Sequence, residues 1–481
     1  MAFTEFCCRS GGSNLNAGTR TGNSTEPGTA ADLTYASGTW VSATGVFTVA
    51  SGNPVTDGVA VGDFASVYAD GASVTTLVGR VTARTSTTIT VSTTAKSGTT
   101  TDGTSNRTLK IGGAWAGPSG TSGFPFTLVS SSLQNTSSEL PRVNFKNDAT
   151  YSITAAISCG TTGPVCYRGY NATYGDTGKF IIDGGTSGVS YTLLTFTLNN
   201  QWLENCILQN NGATGSATGL QMSGGGARCL LTGVVVNNVR GNGISLTSGA
   251  IAVECEAYLC NQSNTSGLGG FVCSSSTLVR CIAHDNSGSN NTGFVVGAGG
   301  SSPNFIRCIA DTNGRDGWTL DTTVGVVSLI NCDAYNNGRD GVRNSSAGNS
   351  FTLIESCNFT KNAGYGINIS SIVSTAVTRI VTCGFGAGTE ANALGQTNGT
   401  TYADLSGSVA YASNASPWTD AANGDFRISL VEAKGAGRGV FCQSQSGYAG
   451  TVGYPDIGAA QHQDSGGGGI PIARGMHGGM R

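Results

Sequence analysis

Charge is scarce in this chain. Of 481 residues only 11% are Asp, Glu, Lys or Arg, and the formal net charge is −3. So weak a field offers nothing to hold a polyanion, and no nucleic-acid partner is expected. No apolar run approaches the ~18 residues of a membrane span, so none is expected. The opening MAFTEFCCRSGGSN lacks the basic and apolar regions of a secretory signal, and no cleavable signal is expected. The P-loop, Gly-x-Ser-x-Gly and His-Glu-x-x-His are absent, as is any Cys-x-x-Cys pair. Nothing local therefore marks a nucleotide site, a hydrolase elbow or a zinc site, and neither metal nor cofactor is expected.

What the chain does have is glycine, 74 residues of it, together with 38% hydrophobic residues. Disordered chains pair low hydrophobicity with high charge. This composition instead fits a turn-rich β fold. The 15 cysteines would suggest disulfides in a secreted protein, but their spacing suggests something else. Cys206, Cys229, Cys255, Cys281, Cys308, Cys332, Cys357 and Cys383 follow one another at intervals of 23, 26, 26, 27, 24, 25 and 26. Cys159 stands two such intervals earlier. Periods of this size mark solenoids.

Around the cysteines, apolar or small residues fall at alternate positions, as in Val279-x-Cys281-x-Ala283 and Ile330-x-Cys332-x-Ala334. That is strand periodicity with one face buried. Asn211, Asn286, Asn313, Asn337 and Asn362 each stand five residues after a Cys. A second element, Gly-apolar-x and then usually an apolar residue, begins at Gly219, Gly243, Gly270, Gly293, Gly317, Gly341 and Gly366. Glycine there suits a bend needing positive φ. Each coil reads as strand, Asn-bearing turn, second strand and variable return. Coils stacked ~4.8 Å apart turn equivalent residues into columns. The cysteines then form an interior column, spaced too widely for bridges that prefer ~3.8 Å between Cβ atoms. The asparagines form an amide ladder.

Five segments follow from this pattern. Residues 1–34 are an opening strand and cap, and 35–113 a small inserted β domain. Residues 114–395 are the solenoid, 396–464 a closing segment and 465–481 a flexible Gly/Met-rich tail. Phe6–Thr19 (FCCRSGGSNLNAGT), the Cys-Ile-Ala-x-x-Asn … Gly-Φ-x-Φ coil, and Asp425-Phe426-Arg427-Ile428 with Tyr454-Pro455-Asp456-Ile457-Gly458-Ala459 resemble the pectate-lyase-like superfamily. The resemblance implies an all-β, right-handed parallel β-helix of the type found in phage tail spikes and fibres and bacterial surface proteins. It implies little about activity, since that group holds lyases, hydrolases, epimerases and adhesins.

Residues flanking the cysteines are expected to point outward. Glu256, Tyr258, Arg280, His284, Arg307, Asp311, Asp333 and Tyr335 then share one face. As a glycan groove, Tyr258 and Tyr335 would pack on sugar faces, with Glu256, Arg280 and Arg307 beside them. Asp311 and Asp333, ~8 Å apart at Cα by strand and sheet spacings, with His284 oriented by Asp311, would be the catalytic set of a polysaccharide hydrolase. The resemblance also implies a lyase alternative, in which acidic residues hold Ca²⁺ and an Arg is the base, a part open here to Arg280 or Arg307. The competing reading is a polar face of weak ion pairs among Glu254, Arg280, Arg307 and Asp311. Arg315-Asp316 and Arg339-Asp340 are expected to form an ion-pair ladder. The early coils carry longer bends, GATGSAT, VVNNVRGN and NQSNTSGLG, beside which a ligand is expected. The function expected first is a non-catalytic carbohydrate-binding or structural β-helix of a virion or extracellular surface. Host glycans would be the partner, with a homotrimer and contacts to other virion proteins through 35–113. The alternative is a polysaccharide hydrolase or lyase.

Overall fold

The computed structural model describes residues 2–433 and Ala459, apart from 20–25, 73–74, 131, 134–138, 160–162, 198–199, 224–228, 248, 298–301, 322–324, 346–349, 370–376, 388, 390, 399–401, 405–407, 412–415 and 431–432. Cys442, residues 454–458, His462, Arg474, His477 and Arg481 lie outside the described residues.

Alternating apolar residues over short segments, with turn residues between, produce an all-β fold in two compact units. One comprises Met1–Ser187, Tyr191–Gly212 and Gln221–Val235, the other Gly188–Ser190, Ala213–Leu220 and Val236–Arg481. In the first unit, Ala2–Cys8, Glu139–Lys146, Val165–Tyr170, Gln201–Glu204 and Leu230–Thr232 pair in parallel. Thr150–Ser152, Phe180–Asp183 and Cys206–Gln209 form a second parallel ladder, and Ile157–Cys159 with Leu194–Phe196 a third. Between Ala2–Cys8 and its neighbour Glu139–Lys146 the chain detours through a closed antiparallel barrel of six strands running from Leu33 to Ile111. Trp40, Phe47, Val67, Val81, Ile89 and Leu109 fill its core. Two asparagines of the opening loop hold the chain where it re-enters. Asn14 accepts from the Ala116 and Gly117 amides at 3.1 and 3.0 Å, and Asn16 donates to Ala114 O at 2.8 Å.

The second unit repeats the coil more regularly. Ladder A runs through Ile251–Val253, Thr277–Val279, Asn304–Ile306, Gly325–Ile330, Ser350–Glu355 and Val377–Val381. Ladder B runs through Glu256–Tyr258, Ile282–His284, Ile309–Asp311, Asp333–Tyr335, Asn358–Thr360 and Gly384–Phe385. Ladder C runs through Ile244–Leu246, Gly269–Cys273, Thr292–Val296, Trp318–Leu320, Val342–Asn344 and Tyr365–Asn368. Inside ladder C, Phe271, Phe294 and Trp318 stack at 5.0 Å per step, close to the rise of parallel strands.

Three sequence expectations change here. The segment through each column cysteine is two strands with a corner between them. Glu254, Arg280, Arg307, Asn331, Ser356 and Thr382, each just before the Cys, have φ between 53° and 56°. That left-handed residue turns ladder A into ladder B and lengthens the inward step from two residues to three, from Leu278 to Cys281 and from Phe305 to Cys308. Val279, Ile306 and Ile330 therefore do not share the buried face with the cysteines as the alternation suggested. The corner exposes carbonyls to the interior, and the thiols answer them. Cys281 Sγ donates to Ala252 O at 3.5 Å and Val279 O at 3.7 Å, and Cys308, Cys332, Cys357 and Cys383 repeat the arrangement one coil on. All 14 described cysteines are free and buried. Burial pushes the thiols of Cys281, Cys308 and Cys357 well up, so they stay protonated donors.

Second, Cys229 and Cys159 stand outside this pattern. Cys229 precedes a strand that pairs with Gln201–Glu204, the type of strand that comes before the corner. In that coil Gly233, with φ 62°, makes the corner and Val234 follows it inward. Cys159 ends a strand paired with Leu194–Phe196.

Third, the coil glycines do not adopt positive φ. A Cβ on Gly293, Gly317 or Gly341 would stand 2.8, 2.6 and 2.6 Å from the carbonyl oxygen of the next coil's glycine. The requirement is close approach between coils. The asparagine ladder does form: Asn286, Asn313, Asn337 and Asn362 each donate through Nδ2 to the next Oδ1 at 2.7–3.0 Å, ending on Asn392.

Candidate functional site

The outer face of ladder B carries the polar residues. Its register aligns Tyr258, His284, Asp311, Tyr335 and Thr360 in one column, and Glu256, Ile282, Ile309, Asp333 and Asn358 in another. Ala257, Ala283, Ala310 and Ala334 between them point inward and are fully buried. The columns read from the sequence therefore exist, but they divide into two environments.

At the end nearer Glu256, the Tyr258 and His284 rings stack with centroids 5.0 Å apart and planes 10° from parallel. His284 is only 3% exposed, and carboxylates flank its imidazole: Nε2 lies 2.5 Å from Glu256 Oε1 and Nδ1 2.7 Å from Asp285 Oδ2. Asp285 comes from the residue beyond the strand, which is left-handed (φ 51°). Its side chain is 45% exposed, while Tyr258 and Glu256 are half-buried. Burial, and then the charge of Glu256, raise the Tyr258 phenol, which stays neutral. At the corner, Arg280 Nη2 meets Glu254 Oε1 at 2.7 Å, and Arg307 one coil on is buried.

Directly after Tyr258 comes one of the long bends. Asn261 Nδ2 donates to Asn291 Oδ1 at 2.6 Å, Asn264 Nδ2 to Ser289 Oγ at 3.2 Å, and the Asn290 amide to Asn264 Oδ1 at 2.8 Å. Asn264, Thr265 and Ser266 are exposed. The bends of two successive coils are thus tied to each other, and the one after Tyr258 leaves amides and hydroxyls exposed.

The rest of the expected site is closed. Asp311 is 1% exposed, Asp333 0% and Tyr335 5%. A hairpin of Trp418–Asp420 and Asp425–Ile428 lies over them, with Trp418 and Phe426 meeting the Tyr335 ring edge-on at 5.3 and 6.0 Å. Asp333 accepts from Asn358 Nδ2 at 2.9 Å and the Ala459 amide at 3.0 Å, and burial raises its carboxyl to about 7. Asp311 accepts from Thr312 Oγ1 at 2.6 Å. The expectation of an open groove holding both aspartates and Tyr335 is therefore corrected. The sequence shows the strand column but not the distant hairpin that covers it. Asp285, which completes the flanks of His284, was missed because it stands past the alternating positions. Arg315, Asp316, Arg339 and Asp340 do pair: Arg339 Nε reaches the fully buried Asp316 at 2.7 Å and Asp340 Oδ2 at 3.7 Å. Among the described residues no group of three or more His, Cys, Asp or Glu is placed to hold a metal ion, and no helix is long and apolar enough to cross a membrane.

Residues 218–379 match the family model described as the right handed beta helix region, and with the ladders above the chain is a right-handed parallel β-helix protein. It is similar to the A-module of a mannuronan C-5 epimerase from Azotobacter vinelandii, at 15% identity and a TM-score of 0.42, over 53% of this chain and 71% of that one. It is also similar to a pectate lyase at 17% identity and a TM-score of 0.34, over 67% and 88% of the two chains. The catalytic domain of a GH87 α-1,3-glucanase in complex with tetrasaccharides aligns at 11% identity and a TM-score of 0.31, over 78% and 90%. Likeness of this order says nothing about activity. No curated protein matches the chain.

Proposed function

We propose that the protein is a non-catalytic carbohydrate-binding β-helix of a virion appendage, a tail spike or fibre that contacts host glycans. One observation carries the binding reading. The Tyr258 ring, half-buried and backed by the buried His284 imidazole, stands beside the fixed carboxylates of Glu256 and Asp285, and the exposed Asn264–Ser266 bend follows it along the chain. Sugar recognition needs such a pairing: a ring for the C–H face and a few oriented polar groups for the hydroxyls. Catalysis fits less well. With the hairpin closed, Asp311 and Asp333 are buried from any substrate, and both imidazole nitrogens of His284 already face carboxylates.

Free, buried cysteines suit assembly in a reducing cytoplasm, which favours a virion setting. In that setting the barrel of Leu33–Ile111 serves attachment to other virion proteins, and three chains associate. The test is a panel of bacterial surface polysaccharides offered to wild type and Tyr258→Ala. Retention of a glycan without cleavage, weakened at least tenfold in the variant, supports the proposal. Cleavage products from wild type would establish an enzyme instead, and absence of binding across the panel would overturn the reading. Immunogold labelling of phage particles with antibody to residues 35–113 tests the setting; unlabelled virions count against it.

A further inference from the structure

The hairpin over ladder B covers the same face that carries Tyr258, and what it covers is unusual for a permanent seal. Trp418, Phe426, Ile428, Ala421, Ala433 and Ala459 close over Ile309 and Tyr335 as an apolar cluster. Within that closure sits the Asp333 carboxyl, fully buried. The charged groups around it are placed elsewhere. On the ladder, Lys361 Nζ donates to the Tyr335 hydroxyl at 3.2 Å and lies 5.4 Å from its ring centroid. Asp311, one strand away, bonds Thr312. On the hairpin, Arg427 Nε holds Asp425 at 2.8 Å and Asp420 receives Asn423. Tyr411 bonds Asn358, which in turn bonds Asp333. What reaches the Asp333 carboxyl are neutral N–H donors, Asn358 and the Ala459 amide at hydrogen-bond distance and the Trp418 indole of the hairpin alongside, and no charge is among the causes of its shift.

We propose that residues 416–430, with Ala433 and Ala459, form a strap over the binding ladder, latched by Asp333: the strap closes over the neutral acid and is released when the carboxyl ionises. This rests on ladder B being the binding face, and it gives that face a regulation. With the strap lifted, Ile309 and Tyr335 join the outer face on which Tyr258 stands, extending it to the fourth coil along the register. The direction of the pH response follows from the closed state. Burial holds the carboxyl at about 7 against an ordinary 3.8, and the N–H donors keep it from going higher. Closure is thus fully favoured below about pH 4 and is lost as pH rises through about 7.

Hydrogen exchange on the full-length protein at about pH 5 and about pH 8, corrected for intrinsic rates, tests the latch with no glycan present. Amides of residues 418–428 are expected to lose at least tenfold protection at the higher pH, while those of residues 282–284 keep theirs. Asp333→Asn is expected to hold the strap closed at both. Equal wild-type protection at the two pH values would overturn the proposal without any variant, and so would an Asp333→Asn protein with the wild-type pH response. A Tyr258→Ala protein that binds glycan normally but keeps this response would instead sink the binding reading and leave the strap standing.

Discussion

Two stretches of one ladder share a backbone and differ in what lies on top. Around Tyr258 and Glu256, the outward side chains stand half-buried over the buried His284. Around Asp333 and Tyr335, side chains of the same alternation lie under Trp418 and Phe426. The strand periodicity of the two stretches is identical, so it cannot distinguish them. A polar residue at an outward position of a solenoid is a site in one place and the floor of an interface in the other, and only the path of the distant chain decides which.

The largest expected effect falls on the covered side. Trp418→Ala removes a buried indole and is expected to cost about 3–5 kcal/mol in urea unfolding; a cost below about 1 kcal/mol would mean the cover is loosely held. Asp333→Asn comes next and changes sign with pH. The wild-type carboxyl is raised from 3.8 to about 7, so its ionisation opposes closure by up to about 4 kcal/mol above pH 7 and by nothing below about pH 4. The variant should therefore gain on wild type at about pH 8 and match it near pH 4. Unfolding curves across pH will show whether the gap closes as expected.

A change to the shared scaffold should affect both stretches alike. Asn337→Leu deletes a rung that accepts from the Asn313 amide and side chain and donates to Ala310 O. It should cost about 2–4 kcal/mol through the groups left unpaired, with exchange rising on both sides of the rung. The smallest stability effect belongs to the open side. Tyr258→Ala should cost under about 1 kcal/mol in unfolding while removing most glycan affinity, a separation that thermal melts and binding isotherms on one sample will reveal.

Much of the scaffold was legible in the sequence because stacking imposes a period on it. The cysteines from 255 to 383, the asparagines from 286 to 362 and the coil glycines all mark positions where one coil touches the next. Cys229 shows the limit: it keeps the rhythm, yet the corner of its coil is made by Gly233 and Val234. The glycines were legible as a column but not for their reason, since a steric limit set by the next coil's carbonyl and a torsional one leave the same letter. Of the site, Tyr258, Glu256 and His284 were legible as outward residues. Asp285 was not, because a left-handed turn residue carries no alternation signal. The closure over Asp333, Asp311 and Tyr335 was not either, because it depends on residues 75 or more positions away.

The account is most directly tested by measuring glycan affinity for Tyr258→Ala and Tyr335→Ala side by side at about pH 5, where the strap is closed. A loss of tenfold or more for Tyr258→Ala, with Tyr335→Ala unchanged, is the predicted result. Equal losses, or a loss confined to Tyr335→Ala, would contradict the division of ladder B into an open and a covered half.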